Sequence, residues 1–270
     1  MLSSSGTFEN LCSAIINSEN KEEPLKQLKA YLLANNERKH KIVESFGILT
    51  VFLKEITTIY DYLTLEGTAI PENIYTILEI SIILTDVDSF IEYVINSNLL
   101  LYLYPIINSS IRNEETEELK YITLRFIKCI LKKNKIENLI EFFKNTELVP
   151  LCLRNMELGR EKTKIEASEV FYLIISIREG LEYSCQTYDR FMAISMILNS
   201  VLVQLEIIQS AKLLELTIKI YTKLCDMPNA KLAFNKNRPH MLYTETIREL
   251  VRTNPNVKTA YDDFLNILQN

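Results

Sequence analysis

The sequence predicts an all-α fold built by stacking short helices, and three observations carry that prediction. Leu, Ile, Glu and Lys recur at helical spacing along a 270-residue chain whose apolar share is 47%. Gly and Pro are scarce, at 5 and 7 residues, too few turn formers for a β-rich or loop-rich fold. One pattern also returns along the chain at roughly fifty-residue spacing: a polar residue or Gly, two or more aliphatics, then a dense apolar helix.

Taken in order, the copies are FGILTVFLKEI (Phe46–Ile56), SNLLLYLYPII (Ser97–Ile107) and TELVPLCLRNM (Thr146–Met156), with a weaker fourth in DRFMAISMILNSVL (Asp189–Leu202). Their spacing slightly exceeds the ~40–47 residues of armadillo or HEAT units, and polar inserts at Leu63–Asn73 and Asn108–Glu118 supply the excess. Between the copies, Ile74–Leu84 and Leu119–Leu131 are apolar nearly all round, as expected for helices sandwiched in a stack. Helix starts are expected at Pro71 after Thr68, at Thr116 before Glu117 and Glu118, and at Asp226 before Pro228. Pro150 is tolerated in a first turn, whose N–H groups lack helical partners, so Thr146–Met156 reads as the third-helix opening of an armadillo repeat. Asn256–Asn270 reads as an amphipathic capping helix with Tyr261, Phe264, Leu265 and Leu268 inward. No linker is long or polar enough to divide the chain. The prediction is an armadillo-repeat, right-handed α-solenoid of about six repeats, one domain over residues 1–270 with 1–7 a flexible start.

Bulk properties exclude several classes. A net charge of −5 gives no global attraction to nucleic acid or anionic membrane, so any polyanion site must be a local patch. Five cysteines, odd in number and without a CxxC, sit among Ile and Leu and read as buried thiols in a reducing compartment. The start MLSSSGTFENL lacks a basic n-region and an apolar h-region, so secretion is not expected. The apolar stretch Asn98–Asn108 is about half the length that spans a bilayer. No GxSxG, P-loop, GxGxxG or HExxH pattern occurs, and neither His40 nor His240 has a second ligand at metal spacing. Glu114, Glu115, Glu117 and Glu118 read as a solvated acidic loop leading into a helix N-terminus rather than an acid–base pair. The chain reads as no enzyme, with no cofactor and no metal.

One local basic row stands out. Lys212, Lys219 and Lys223 fall at i, i+7 and i+11 on the helix Ala211–Leu224, and Arg190 and Lys231 could extend it. A row of cations in a groove suits a phosphate backbone or an acidic peptide without base readout. From the residues alone, a solvated helix face with Glu215 beside it is the commoner outcome.

The pair PLCLR-M-G (Pro150–Gly159) and CQTY-RF (Cys185–Phe191) resembles the conserved cell-differentiation family, the armadillo-repeat subunit of the CCR–NOT deadenylase complex. The resemblance runs from about Phe8 to the C-terminus and is densest over Leu101–Arg112 and Thr146–Lys231, with support from SFG-LKEI-IY (Ser45–Tyr60). It implies a non-catalytic adaptor in mRNA deadenylation, mRNA decay and translational repression, working in the cytoplasm with the nucleus left open. Deadenylation itself would belong to other subunits.

The resemblance also implies partners. The large Not scaffold subunit would dock at Glu44, Phe46, Thr50 and Thr57; Phe46 and Gly47 match the family motif, whereas Glu44 stands in place of His, and Thr50 and Thr57 in place of small or aliphatic residues. On the residues alone, Phe46 reads instead as a core side chain stapling a helix start. A basic concave groove would hold RNA or single-stranded nucleic acid at Arg190, Lys212, Lys219, Lys223 and Lys231, with Asn229 departing from a family Arg. A convex pocket for regulator peptides is degenerate here, since Glu118, Arg125 and Glu166 replace Tyr, Gly and Val. Self-association as a homodimer belongs to the same set of expectations, and a membrane does not. The competing class is a generic armadillo peptide-binding adaptor unrelated to deadenylation. The absence of Trp weakens it, because groove readers of extended peptides use ladders of Asn and Trp.

Overall fold

The computed structural model describes residues 4–63, 69–133, 142–143 and 145–269, and among these every regular element is a helix. The chain forms two compact units, residues 1–136 and 137–270, each with its own core.

The first unit contains α1 (Ser4–Asn17), α2 (Glu22–Ala34), α3 (His40–Glu44), α4 (Ile48–Thr57), α5 (Glu72–Leu84), α6 (Asp88–Asn96), α7 (Tyr104–Asn108) and α8 (Glu114–Leu131). Helices α2, α5 and α8 pack in a row. The middle member explains its composition: Ile74, Thr76, Ile77, Leu78, Ile80, Ser81 and Leu84 are all buried, so α5 has neighbours on most of its circumference. Burying Thr76 and Ser81 is tolerable because their hydroxyls donate to the carbonyls of Glu72 (3.2 Å) and Ile77 (2.8 Å). Ion pairs tie the row at its rim. Lys29 of α2 bonds Glu79 of α5, and Lys39 (2.7 Å) and Lys133 (3.1 Å) converge on Asp86. The Lys39 hydrogen bond, more than the Lys133 one, holds the Asp86 carboxyl below its ordinary range.

One expected helix start moves. Helix α8 begins at Glu114, capped by Asn113, whose side chain accepts from the Thr116 N–H at 2.7 Å. Asn is as good a cap as Thr, and Thr116 is itself buried in the first turn. The acidic run is therefore not a solvated loop. Glu114, Glu115 and Glu117 form the first turn, and Glu117 is buried against Lys120, whose ammonium lies 2.9 Å from its carboxylate and donates to the Ile111 carbonyl at 3.2 Å. The start at Pro71 stands, since α5 opens at Glu72; Thr68 lies outside the described residues.

The second unit contains α9 (Leu148–Leu158), α10 (Glu161–Ser176), α11 (Arg178–Cys185), α12 (Tyr188–Ile208), α13 (Ala211–Leu224), α14 (Pro228–Lys236), α15 (Glu245–Thr253) and α16 (Pro255–Gln269). Helices α10, α13 and α16 form one row, and α9, α12 and α15 a second beside it. Pro150 is the third residue of α9, inside the first turn as expected. However, α9 occupies the place that α12 holds in the triplet α11–α12–α13, so it is a middle helix rather than a last one. Helix α14 starts at Pro228 after an extended Met227, and Asp226 instead pairs with Lys223 at 2.6 Å.

The corner between α9 and α10 shows why PLCLR-M-G ends in glycine. A Cβ on Gly159 would stand 2.7 Å from the Asn155 carbonyl oxygen and 2.9 Å from the Thr163 side chain. Beside it the buried Lys164 donates to the carbonyls of Met156 (3.0 Å) and Glu157 (2.6 Å), a cation set on the C-terminal end of α9. In α16 the inward face is Val257, Ala260, Phe264 and Leu268; Tyr261 and Leu265 are only half-buried. The Tyr221 ring meets Phe234 edge-on at 5.1 Å and Phe264 at 5.7 Å, linking α13, α14 and α16.

Candidate interaction surfaces

The first surface is built at the entry to α4. Ser45 is extended and Gly47 takes φ +84°, a left-handed conformation that any side chain would strain. The turn holds Phe46 out of the core at 97% exposure, so the helix-stapling reading of this aromatic is wrong. A buried staple would need the chain to enter α4 from the core side, and the left-handed step prevents that. Thr50 and Thr57, seven residues apart on α4, share one stripe, and Phe46 stands just ahead of the helix's first turn. Glu44 and Thr50 are exposed; Thr57 is half-buried, with its hydroxyl donating to the Lys54 carbonyl at 2.8 Å. Ile16 of α1, partly exposed, adjoins this corner, its Cδ1 3.7 Å from where a Gly47 Cβ would stand.

The second surface is the lysine row on α13. Lys212, Lys219 and Lys223 do share its open side, but each has a carboxylate beside it. Glu215 lies between the first two, 3.7 Å from Lys212 and bonded to Lys219; Glu169 of α10 also reaches Lys212 at 3.7 Å; Asp226 pairs with Lys223 at 2.6 Å. Next to the row, Glu215, Lys219, Thr222, Asn256, Thr259, Ala260 and Asp263 line a cavity of about 180 Å³ between α13 and α16, adding another carboxylate. Arg190 is committed elsewhere. Its guanidinium donates to the Tyr183 carbonyl (3.1 Å) and Gln186 Oε1 (2.8 Å) and sits 4.1 Å over the Tyr183 ring, closing the end of α11. Lys231 is half-buried on α14. Its charge opposes the effect of burial on Cys225, whose thiol burial pushes up to about 11.

The peptide-pocket positions fall on the stacked helices. Glu118 and Arg125 are exposed on α8, whereas Glu166 is buried on α10, one turn before the Glu169 that meets Lys212. Glu166 and the lysine row thus lie on adjacent helices of one stack. Among the described residues, no group of three or more His, Cys, Asp and Glu is placed to hold a metal ion. One surface escaped the sequence reading, which took Asp189–Leu202 as a repeat copy only: the open side of α12 exposes Met196, Val203 and Ile207.

Stacked helix triplets with interaction surfaces define an armadillo-repeat protein, and solved structures bear out that class. An engineered protein solved by the Northeast Structural Genomics Consortium superposes with TM-score 0.66 over 97% of this chain and 96% of its own, at 14% identity. A designed armadillo repeat protein gives TM-score 0.61 over 96% and 98%, at 13% identity. Within that class the chain belongs to the cell differentiation family, Rcd1-like, which it matches over residues 11–268. It is 31% identical to cell differentiation protein rcd1 of Schizosaccharomyces pombe over 224 residues, 82% of this chain and 78% of the relative. It is 29% identical to Protein CAF40 of Saccharomyces cerevisiae over 213 residues, 77% of this chain but only 56% of that relative.

Proposed function

We propose that this chain is a non-catalytic adaptor subunit of the CCR–NOT deadenylase complex, acting in cytoplasmic mRNA decay and translational repression. Its family membership supports the assignment, and Phe46 is the observation that carries the docking role. A Phe held almost wholly in solvent by a left-handed glycine, beside Ile16, is what an anchor for a partner's pocket requires. The large Not scaffold subunit is the partner this reading names, with Glu44, Thr50 and Thr57 around the anchor. Contact with RNA along Lys212, Lys219, Lys223 and Lys231 is a weaker second role, because Glu169, Glu215 and Asp226 offset three of those cations. The convex pocket is read as non-functional for tryptophan-containing peptides, since Glu118 and Arg125 put charge where such a pocket needs apolar walls.

The test is capture of the tagged chain from native extract, followed by identification of what copurifies. Recovery of deadenylase subunits by the wild type and their loss with Phe46→Ala supports the proposal. Recovery of unrelated cargo alone would favour a generic armadillo adaptor.

A further inference from the structure

Helices α15 and α16 meet at a one-residue corner, Asn254, and the crevice between them shares no residue with the surfaces above. A cavity of about 280 Å³ there is lined by Arg248, Val251 and Arg252 of α15 and by Lys258 and Tyr261 of α16. The spacing explains the convergence: positions 248, 251 and 252 share one face of α15, and 258 and 261 one face of α16. Among the described residues, three cations, a phenol ring and an aliphatic side chain form the wall, and no carboxylate does. The cavity beside α13 has the opposite character, with Glu215 and Asp263 in its wall. In a chain of net charge −5, three cations gathered around one cavity call for a counter-charge.

Helix capping does not employ them. Elsewhere in this unit cations close helix ends: Lys164 donates to the carbonyls of Met156 and Glu157, and Arg190 to that of Tyr183. At the end of α15 neutral groups take that task. The Asn254 amide donates to the Leu250 carbonyl at 3.0 Å, and the Thr253 hydroxyl to the Glu249 carbonyl at 2.7 Å. The cations keep donors to spare. Arg252 is held by Glu249 through Nε and Nη2, both at 3.0 Å, which sets the plane of its guanidinium and leaves the Nη1 hydrogens unused. Arg248 lies 4.0 Å from Glu245, beyond hydrogen-bond reach. Among the described residues, Lys258 has no ion pair and the Tyr261 hydroxyl no hydrogen bond. Burial, and after it Tyr243, raises the Tyr261 phenol above its ordinary range, and Arg248 stands close enough to oppose that rise.

We propose that this crevice binds a phosphate monoester, carried on a phosphorylated serine or threonine side chain of a protein segment. A phosphoryl group brings nearly two negative charges and three acceptor oxygens, matched by Arg248, Arg252 and Lys258. The Tyr261 hydroxyl adds a neutral donor, and its ring with Val251 gives the carbons of the bound side chain an apolar wall. Size selects the carrier. At about 280 Å³ the cavity falls just below the ~300–1,000 Å³ of pockets that enclose a drug-sized ligand, so a side chain fits and a whole nucleotide does not. Charge selects against a nucleic-acid strand, which needs a continuous track of cations. Here the exposed Glu245, Glu249 and Asp262 flank the three cations and would repel the next phosphates of a strand. A single dianion seats between them.

Calorimetric titration of the full chain at low salt with N-acetyl-phosphothreonine methylamide tests this. The wild type is expected to bind with a dissociation constant of about 1 mM or tighter, and the unphosphorylated probe at least about tenfold more weakly. Arg248→Gln with Lys258→Gln weakens binding of the phosphorylated probe at least about tenfold. Glu245→Gln, which removes the carboxylate beside Arg248, tightens it about twofold. All three positions are exposed, so unchanged thermal midpoints confirm that each variant is folded. No binding by the wild type up to about 20 mM probe overturns the proposal, as does an affinity that the paired Gln substitutions leave unchanged. Inorganic phosphate bound as tightly as the probe overturns the side-chain carrier. Adenosine monophosphate or an oligouridine bound at least about tenfold more tightly than the probe assigns the crevice to nucleic acid instead.

Discussion

Gly47 and Phe46 show how one torsion decides what a side chain is for. At φ +84° the backbone at Gly47 lies where an L side chain is strained, although a Cβ there would make only an ordinary van der Waals contact, 3.7 Å from Ile16. The cost of Gly47→Ala is therefore backbone strain without a clash, about 1–2 kcal/mol by urea unfolding. A loss below a few tenths would show that the left-handed turn is not needed. The sequence could not announce the exposure of Phe46. An aromatic just ahead of a helix is also the signature of a hydrophobic staple, and only the handedness of the next residue separates the two. Gly159 was more legible, because it closes a motif; its reason, the Asn155 carbonyl and Thr163 side chain filling the place of a Cβ, appears only in the packing.

At the scale of elements, periodicity located the helices well and their ends less well. Helix α8 was expected to open at Thr116 because Thr is a good cap, but Asn113 three residues earlier takes the role and pulls the acidic run into the first turn. That shift buries the Glu117–Lys120 pair, both side chains 5% exposed. Lys120→Met removes the cation from a buried carboxylate and is expected to cost about 3–5 kcal/mol, most of it recovered when Glu117→Gln is added. Denaturant melts of the two variants check this; equal losses in the single and double variants would contradict it. The α13 row was legible as a stripe of lysines. Its neutralisation was only half legible: Glu215 stands at the i+3 and i−4 spacings that predict pairing, whereas Glu169 arrives from α10. Glu215→Gln is thus expected to strengthen binding of single-stranded RNA several-fold at low salt and to steepen its salt dependence. Affinity that ignores both the substitution and the salt would remove RNA from this surface.

At the scale of the whole molecule, the repeat pattern and the scarcity of glycine and proline led to the armadillo class. The order and near-constant spacing of motifs over more than a hundred residues led to the family. What periodicity could not supply is which apolar faces remain open. Asp189–Leu202 read as a weaker repeat copy, and an apolar run looks the same whether one side or both are covered. Only the packing separates the inner side of α12 from the outer stripe of Met196, Val203 and Ile207. The same limit applied to Phe46, and both surfaces lie at positions where the burial pattern of a closed domain breaks.

The proposed docking role is tested most directly by titrating the purified chain with the large Not scaffold subunit, wild type against Phe46→Ala, with thermal melts of both. The account predicts that the substitution leaves the melting midpoint unchanged, because the side chain touches little in the free protein, and weakens binding by about 2 kcal/mol or more, roughly thirtyfold. Equal affinity of a folded Phe46→Ala chain for the scaffold would contradict it.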